Sequence, residues 1–482
     1  MPAYPNEGSP ATFQTVLDSF AWGPALPFQD VLTANRIQAV ADEEQVDFGS
    51  APGDVYSVPV TLWAFLAQVI SKEKSCVAAV ARVLVLRVAL GLPSCASETG
   101  AYCKARAKLP ESFLQRLCYD VAEQVEDQAP SQWLWKDRHV FIGDGSTLSM
   151  PDTPANQEAY PHPRTQKPGL GFPIMRVVVL LALATGVLNG AAFGPYLGKS
   201  QGEPALLRTL LGRLRPGDVL LGDRYYGSYW LVALAQQVGV DVVFRQHQRR
   251  ASDFRQGTRL GREDHVVVWT KPKRPAWLDE ASYQALPETL TVRELRVYVA
   301  VPGYRTEDVT VVTTLLDAQA YPKEDVAELY RARWHVELDL RAIKAHLHMD
   351  ILRCKTPAMV RKEIWAHFLA YNLTRRVLAA AAQQKGVRPR FLSFLGAVQT
   401  LNEFRWLLVT AEADVRGRYV RVLWLAIASH SVGDRPERCE PRAVKRRPKP
   451  SRYLNQPREV ARAALLQDRG GRRQRRRVPA AR

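Results

Sequence analysis

The sequence predicts an α/β protein whose core is a mixed β-sheet covered by helices, interrupted by a β-rich insertion and flanked by helical N- and C-terminal regions. Three observations favour this class. Short β-branched runs alternate with helical patterns from residue 138 onwards, two of these runs end in an acidic turn, and residues 250–308 contain strand-like segments alone. With 482 residues and 46% hydrophobic content, the chain can bury more than one structural unit.

Residues 1–130 are predicted to be helical. Ser57 and Pro59 suit the start of one helix, Ser75 caps the next, and Pro110 fits the first turn of a third. No zinc finger or other unmistakable pattern for reading DNA sequence occurs in this region.

Residues 131–249 are predicted to form the first part of the sheet, in the order strand, hairpin, helix, strand, helix, strand. The hairpin turns at Thr185 and Gly186. Asp144 ends the first strand and Asp223 ends the fourth, so both acids converge on one point if these strands are neighbours. Clustered carboxylates resist ionisation unless a cation joins them, and oxygen ligands favour Mg²⁺ or Mn²⁺ over Zn²⁺.

The β-rich insertion, residues 250–308, contains the strand-like segments DHVVVWT and LTVRELRVYVAV. Trp269 and Trp277 in this region either stack on a base or belong to the core, and the core is the favoured interpretation. In and next to the insertion, basic residues are candidate contacts to a DNA channel: Arg249, Arg250, Arg255, Lys271, Lys273 and Arg274.

Residues 309–385 are predicted to complete the core with a strand and a helix that reads YRARWHVELDLRAIK. Four residues of this helix fall at about 0°, −60°, −20° and −40° and therefore share one stripe at roughly 100° per residue: Tyr330, Arg333, Glu337 and Lys344. This stripe suits an acid that holds a divalent cation beside a nucleic-acid backbone. Asp339 lies on the opposite face. Taken alone, the stripe is also explained by an amphipathic helix in which Glu337 pairs with Arg333 or Arg341.

Residues 386–430 are predicted to be helical, and residues 431–482 form a basic tail. The tail holds 17 Lys and Arg against 5 Asp and Glu, which is most of the net charge of +18. Its few large apolar side chains and its Pro and Gly content predict disorder. It either holds DNA phosphates non-specifically or is simply solvated.

Six cysteines occur without a Cys-x-x-Cys pair or zinc-ligand spacing, which is typical of reduced thiols in the cytoplasm. The N-terminus lacks a basic segment followed by an apolar core, and the longest apolar run, 177–184, is too short to span a bilayer. We therefore expect a cytoplasmic protein without membrane contact.

Two short patterns suggest other chemistry and are set aside. Gly194 and Gly198 in GPYLGKSQ enclose three residues where a phosphate-binding P-loop needs four, so ATP binding is not expected. Tyr225, Tyr226 and Tyr229 are possible nucleophiles of a tyrosine recombinase. Without a recognisable set of Arg and His, packing or groove contacts are the favoured interpretation.

Residues 138–385 resemble the DDE transposases of bacterial insertion sequences, specifically the insertion-sequence-four family. The matching elements are Asp144 in IGDGS, Asp223 in GDRYY and the Tyr-x2-Arg-x3-Glu-x6-Lys signature. All four signature positions match: Tyr330, Arg333, Glu337 and Lys344. The long interval between Asp223 and Glu337 looks like the β-strand insertion that this family places inside a ribonuclease-H-like fold.

The resemblance implies metal-dependent excision of an insertion sequence and strand transfer into target DNA. Asp144, Asp223 and Glu337 would be both the catalytic residues and the ligands of two Mg²⁺ ions, for which Mn²⁺ can substitute. The signature Tyr330, Arg333 and Lys344 would bind phosphates of the transposon end. After a water molecule has cut the end, the freed 3′-hydroxyl would attack either the opposite strand, giving a hairpin, or target DNA.

The resemblance also implies the partners. These are double-stranded DNA, as terminal inverted repeats bound by residues 1–130 and as target, and a second copy of the chain in a dimeric synaptic complex, associated with the nucleoid. Better-known relatives carry a Trp in the strand before the signature helix that stacks on a flipped base, whereas DVTVVTTLL has none. Trp269 and Trp277 are the candidate substitutes.

Two other functions are compatible with the same resemblance. A non-catalytic DNA-binding protein derived from a transposase would need none of the three carboxylates, and their joint presence argues against it. A related nuclease that cuts without joining would keep them. A strand-transfer assay separates this nuclease from a transposase.

Overall fold

A computed structural model of the chain describes residue 32, residues 34–51, 53–71, 73–89, 91–163, 171–198, 201–298, 308–411 and 413–432, and short stretches between 456 and 467. Most of the basic tail lies outside these residues. The prediction that the tail is disordered therefore concerns residues outside the described part of the chain.

The N-terminal region is helical over its described residues. Its helices are α1 (Ala34–Glu43), α2 (Val58–Ile70), α3 (Cys76–Ala89), α4 (Gly100–Lys108) and α5 (Glu111–Asp127). The local signals act as predicted. Pro59 occupies the first turn of α2, and the Ser75 hydroxyl accepts a hydrogen bond of 3.1 Å from the backbone N–H of Ala78. Pro110 directly precedes α5.

The described residues form one sheet of nine strands. In chain order these are β1 (Val140–Ser149), β2 (Ile174–Ala182), β3 (Leu188–Pro195), β4 (Val219–Gly227), β5 (Asp241–Gln246), β6 (Thr258–Gly261), β7 (Asp264–Thr270), β8 (Thr289–Tyr298) and β9 (Asp308–Thr313). Their order across the sheet is β3-β2-β1-β4-β5-β9-β8-β7-β6.

The strand directions confirm the predicted mixed α/β class. β1 runs parallel to β4 and β4 runs parallel to β5, whereas the other neighbouring pairs are antiparallel. β2 and β3 form the predicted hairpin around Thr185 and Gly186. The first five strands, an antiparallel meander followed by two parallel strands, have the arrangement of a ribonuclease-H-like core.

The strands of the predicted insertion continue the core sheet. β9, which follows the insertion in sequence, pairs with β5 on one side and with β8 on the other. The residue pairs Phe244 with Val312 and Glu294 with Val312 show that one strand joins the two halves. We call β3-β2-β1-β4-β5 the core half and β9-β8-β7-β6 the extension. The domain boundaries themselves stay a prediction.

Helices cover the sheet and build the C-terminal region. They are α6 (Pro154–Ala159), α7 (Glu203–Leu210), α8 (Tyr229–Gln237), α9 (Glu280–Gln284), α10 (Lys323–Ala332), α11 (His335–Arg341), α12 (Pro357–Lys385), α13 (Phe394–Thr410) and α14 (Ala413–Ser429), with a π-helix over Ala342–His346. Among the residues described, no helix is both long and apolar enough to span a membrane.

The long helix α12 is the buried centre of the molecule. Its Asn372 side chain accepts a hydrogen bond of 2.8 Å from the backbone N–H of Leu188 and donates to the carbonyl oxygens of Leu188 and Cys118, both at 3.0 Å. A buried amide with these partners links α12 to β3 and to α5, so the N-terminal region packs directly on the core half of the sheet.

Asp339 fixes α11 against α12. Its carboxylate is fully buried and pairs with the guanidinium groups of Arg375 and Arg390, the latter at 2.6 Å. Asp339 therefore points into the core, as its position opposite Tyr330 predicts. This pairing sets the orientation of α11 and of Glu337 on it.

Candidate active site

Asp144 and Asp223 lie side by side because β1 and β4 are parallel neighbours in register. Gly143 pairs with Gly222, so the two acids occupy equivalent positions one residue further along the strands. Parallel strands carry equivalent residues at the same level of the sheet. The sequence argument depended on adjacency of the two strands, and this condition is met. The prediction that each acid ends its strand is wrong, because β1 continues to Ser149 and β4 continues to Gly227.

Asp144 is the most strongly perturbed acid of this group. Burial raises the pKa of its carboxyl to about 6, against the lowering effects of a hydrogen bond from the Gly145 N–H at 2.8 Å and of the Arg333 charge. The charges of Glu203 and Asp223 raise the pKa further. A carboxyl of this kind is stabilised in its ionised form by an added cation.

Arg333 lies at the junction of α10 and α11 and brings the signature to the two aspartates. The charges of Tyr330, Asp223, Asp144 and Glu337 all raise the pKa of its guanidinium, and they outweigh the lowering effect of burial. Its Nη2 lies 3.7 Å from Oε1 of Glu337, a long contact for an ion pair. Arg333 is thus a cation whose charge interacts with those of Asp144, Asp223 and Glu337 in this structure.

The signature does not lie on one continuous α-helix, and that part of the prediction is wrong. α10 ends at Ala332, and the backbone N–H groups of Trp334, Val336 and Glu337 each bond a carbonyl three residues earlier, at 3.1 Å. The π-helix over 342–346 follows at the other end of α11. A junction with i→i+3 bonds and a π-turn both depart from 100° per residue, so angular positions drift along the segment.

Lys344 and Tyr330 occupy the two ends of this segment. The Lys344 ammonium donates to the hydroxyl of Ser146 at 3.1 Å and to the carbonyl of Thr147 at 3.0 Å, on β1 just beyond Asp144. Burial lowers its pKa. Tyr330 is buried, its pKa is raised to about 12 by burial, and its hydroxyl is hydrogen-bonded to Arg333.

The predicted metal ligands have the right chemistry but are not assembled around one point. Over the described part of the chain, no group of three or more His, Cys, Asp and Glu is arranged to hold a metal ion. Aspartate and glutamate oxygens are the ligands that Mg²⁺ and Mn²⁺ prefer, and Asp144 and Asp223 are already adjacent. The residues therefore fit such an ion, provided that Glu337 moves away from Arg333.

The basic candidates in and next to the extension differ in exposure and in whether their side chains already have partners within the protein. Arg249 and Lys273 are exposed. Lys271 does not suit the predicted DNA contact, because its side chain is only 1% exposed and its ammonium bonds the Leu286 carbonyl at 2.8 Å and Glu288 at 2.9 Å. A buried, paired ammonium is not accessible to a phosphate.

Two other basic candidates have intramolecular partners. The guanidinium of Arg250 stacks over Trp269 at 4.0 Å, and Arg274 bonds the Leu278 carbonyl at 2.6 Å and Glu280 at 3.0 Å. Trp269 is 2% exposed and donates to Glu294 at 3.0 Å, so it belongs to the core and not to a base-stacking surface. Arg250 and Arg274 are nevertheless exposed. The Arg250 guanidinium keeps the donors at its edge while it stacks, whereas Arg274 would exchange its hydrogen bonds for a phosphate.

Trp277 and the tyrosines after Asp223 differ in exposure. Trp277 is partly exposed, and the Arg208 guanidinium lies 3.6 Å from its ring centre. Tyr226 and Tyr229 are buried and Tyr225 is exposed. Neither buried phenol is accessible as a nucleophile.

Sequence reasoning missed Glu203. This residue begins α7, and its charge acts on both Asp144 and Tyr226. A glutamate in the first turn of a helix is favoured by the helix dipole wherever it occurs, so the sequence carries no signal that singles it out.

Comparisons with known proteins match the part of the chain that contains this site. The family model described as Transposase DDE domain matches residues 135–373, which include Asp144, Asp223 and Glu337. Transposase InsG for insertion sequence element IS4 of Escherichia coli (strain K12) is 28% identical over 358 residues, which is 72% of this chain and 76% of its own.

Two further similarities are shorter or more distant. A probable transposase for insertion sequence element IS5377 of Geobacillus stearothermophilus is 35% identical over 88 residues, 18% of this chain and 22% of its own. The solved piggyBac transposase synaptic complex with hairpin DNA aligns with 84% of this chain and 79% of its own, at a TM-score of 0.41 and 10% identity. This last similarity is too weak to inform the site.

Proposed function

Because this chain belongs to the DDE transposases of the insertion-sequence-four family, we propose that Asp144, Asp223 and Glu337 are its catalytic residues and the ligands of two divalent cations. The protein is a DNA transposase, an enzyme that cleaves DNA and transfers strands. The observation that carries the assignment is the pairing of Gly143 with Gly222, which sets the two aspartates next to each other.

The chemistry follows from this arrangement. Mg²⁺ or Mn²⁺, when bound at this corner, supplies Lewis-acid activation of the attacking oxygen and stabilises the departing 3′-oxygen of an in-line displacement. Asp144 and Asp223 hold their positions on adjacent strands of a rigid sheet. Glu337 joins them from α11, which Asp339 anchors to the core.

Arg333 has two roles in this proposal. Without DNA it offsets the charge of the acids and pairs with Glu337 at 3.7 Å. With DNA, its fork of donors would bind a phosphate of the transposon end, which would leave the Glu337 carboxylate available as a ligand. Tyr330 orients Arg333 through their hydrogen bond, and Lys344 adds a fixed positive charge at the other end of the segment.

We assign the partners on the same basis. The N-terminal helices bind the terminal inverted repeats, and two copies of the chain form the synaptic complex at the nucleoid. The exposed Arg249 and Lys273 contribute phosphate contacts from the extension. The freed 3′-hydroxyl attacks either the opposite strand or target DNA.

The test is cleavage of DNA that contains the element's own ends, identified from inverted repeats flanking its gene, in Mg²⁺ or Mn²⁺. Asp144→Ala, Asp223→Ala and Glu337→Ala are each expected to abolish cleavage while the variants stay folded. Full activity in all three overturns the mechanism. A second assay with labelled ends and supercoiled target detects joining, whose absence would leave a nuclease.

A further inference from the structure

Glu203 lies directly against Gly145, the residue that follows Asp144 on β1. A methyl group placed on Gly145 would lie 2.3 Å from Cδ and 2.6 Å from Oε1 of Glu203. Only a residue without a side chain leaves room for the carboxyl group at this position. Gly145 has an ordinary backbone conformation, since its φ is not positive. The space it leaves, and not its flexibility, is therefore what the glycine provides.

Tyr226 supplies an independent observation at the same corner. Its side chain is 1% exposed, and its hydroxyl is buried with no hydrogen-bond partner. Its ring packs closely over Gly222, immediately before Asp223. The largest charge effects on the hydroxyl come from Glu203, Asp144 and Asp223, in that order. A buried donor without a partner is rare, and three acceptors lie within its electrostatic range.

The charge balance of this corner is incomplete. Among the described residues, the charges of four carboxylates act at this corner when Glu337 is included, and two guanidinium groups offset them, those of Arg333 and Arg176. The remaining excess of negative charge disfavours full ionisation of the acids, and an added cation relieves it. A divalent ion that draws the carboxylates inward would also bring an acceptor to the unpaired Tyr226 hydroxyl.

The geometry points to Glu203 as a fourth carboxylate of the metal site, held in place by the clearance at Gly145 and by a hydrogen bond from Tyr226 once a divalent cation is bound. This inference rests on the proposed function, because it takes Asp144 and Asp223 as metal ligands. It adds a residue that lies outside the Asp, Asp and Glu set. Glu203 acts on the cation or on its water, and Tyr226 is a positioning residue.

The test measures Mn²⁺ binding to the full-length protein without DNA, by the loss of the free-ion signal in electron paramagnetic resonance. Glu203→Gln keeps the shape of the side chain and removes its charge, and it is expected to weaken Mn²⁺ binding by about tenfold or more. Glu158→Gln, an exposed acid on α6, is the matched control and is expected to bind as the wild type does.

Gly145→Ala tests the clearance without removing any acid. The three atoms nearest the new methyl group all belong to the flexible side chain of Glu203, so the fold is expected to survive while the carboxyl group is displaced. The Gly145 N–H that bonds Asp144 is retained. Weakened Mn²⁺ binding in both Gly145→Ala and Glu203→Gln, with an unchanged melting temperature in the absence of metal, supports the inference.

Tyr226→Phe removes the hydroxyl alone and is expected to weaken Mn²⁺ binding several-fold, whereas Tyr225→Phe at the exposed neighbour changes nothing. A covalent Tyr226–DNA adduct in the wild type would assign the phenol a different role and overturn this part.

The outcomes separate the two proposals. If Asp144→Ala and Asp223→Ala abolish Mn²⁺ binding while Glu203→Gln and Gly145→Ala leave it intact, only the fourth carboxylate is wrong. If the wild-type protein has no saturable Mn²⁺ binding, or Asp144→Ala and Asp223→Ala retain it, the proposed metal site fails and this inference fails with it.

Discussion

The core half of the sheet and its extension both bury charged side chains, but they pair them differently. In the extension, Asp264 and Arg293 are 5% and 1% exposed and form a two-pronged pair at 2.8 and 2.6 Å. In the core half, Asp144 has no such partner, and its contact to the guanidinium of Arg333 is purely electrostatic at longer range.

The two parts of the sheet also differ in the hydrogen bonds of their buried polar groups. Glu294 in the extension accepts from Trp269 at 3.0 Å and from the Ser252 hydroxyl. The Tyr226 hydroxyl in the core half is buried without any partner. A closed network rigidifies a fold, whereas groups left unsatisfied in a well-formed protein mark the place where a ligand completes them. Of the two parts of the sheet, the core half is therefore the one that leaves buried polar groups open to a ligand, Tyr226 among them.

The largest expected effect is on catalysis in the core half. Asp223→Asn removes one negative charge at the cation site and is expected to lower DNA cleavage by roughly 10³-fold or more, the scale of losing a group that stabilises a transition state. Single-turnover cleavage measures the rate. Asp253→Asn, an exposed acid of the extension side, is the control and should cleave normally.

The largest loss of stability is expected in the extension and not in the core half. Asp264→Ala leaves the Arg293 guanidinium buried and unpaired, which is expected to cost about 3–5 kcal/mol in the free energy of unfolding. Urea unfolding followed by Trp fluorescence measures it. Asp253→Ala should leave the midpoint unchanged. Equal midpoints for Asp264→Ala and the wild type would contradict the closed network.

The acidic corner is expected to destabilise the metal-free protein at high pH. The pKa of Asp144 is raised by burial from 3.8 to about 6 in the folded state. Between these values the folded chain binds more protons than the unfolded chain, so stability falls as pH rises from about 4 to 6 and stays lower above. Asp144→Asn avoids this loss.

Asp144→Asn is therefore expected to be more stable than the wild type at pH 8 by up to about 3 kcal/mol, with the gain vanishing at pH 4. Urea unfolding in EDTA at both pH values measures the difference. Adding Mn²⁺ should stabilise the wild type but not the variant. An identical gain at pH 4 and pH 8 would show that Asp144 is not the titrating group.

The smallest expected effect concerns two lysines of the extension. Lys273→Ala removes one exposed charge and is expected to weaken DNA binding a few-fold and to reduce the slope of log K against log salt by about one. Lys271→Ala should leave that slope unchanged and lower the urea midpoint, because its ammonium is buried against Leu286 and Glu288. A salt series of binding assays decides between them.

The elements that the sequence predicts well are those with local causes. Pro59, Ser75 and Pro110 place three helix starts, and Asp144 and Asp223 mark two strands that prove adjacent, although both acids lie within their strands and not at the ends. These signals depend on neighbouring residues and not on distant contacts. The fold class follows because β-branched runs and helical patterns alternate.

The parts that were missed depend on tertiary contacts. The junction between α10 and α11 contains neither Pro nor Gly, so nothing in ARWHVE predicts that regular α-geometry stops there. The burial of Lys271 depends on the Leu286 carbonyl, fifteen residues away in sequence. Glu203 lies beside the strand that carries Asp144 because Gly145 leaves space for its carboxyl group.

The position of β9 limits how this protein can be shortened. Deleting residues 250–308 to obtain a minimal enzyme would remove β6, β7 and β8 but keep β9, because β9 pairs with β5 and leads into α10. Val309, Val311 and Val312 would then line an uncovered edge whose backbone groups had lost β8. Such an edge recruits other chains, so the truncated protein should aggregate unless polar residues are introduced along β9.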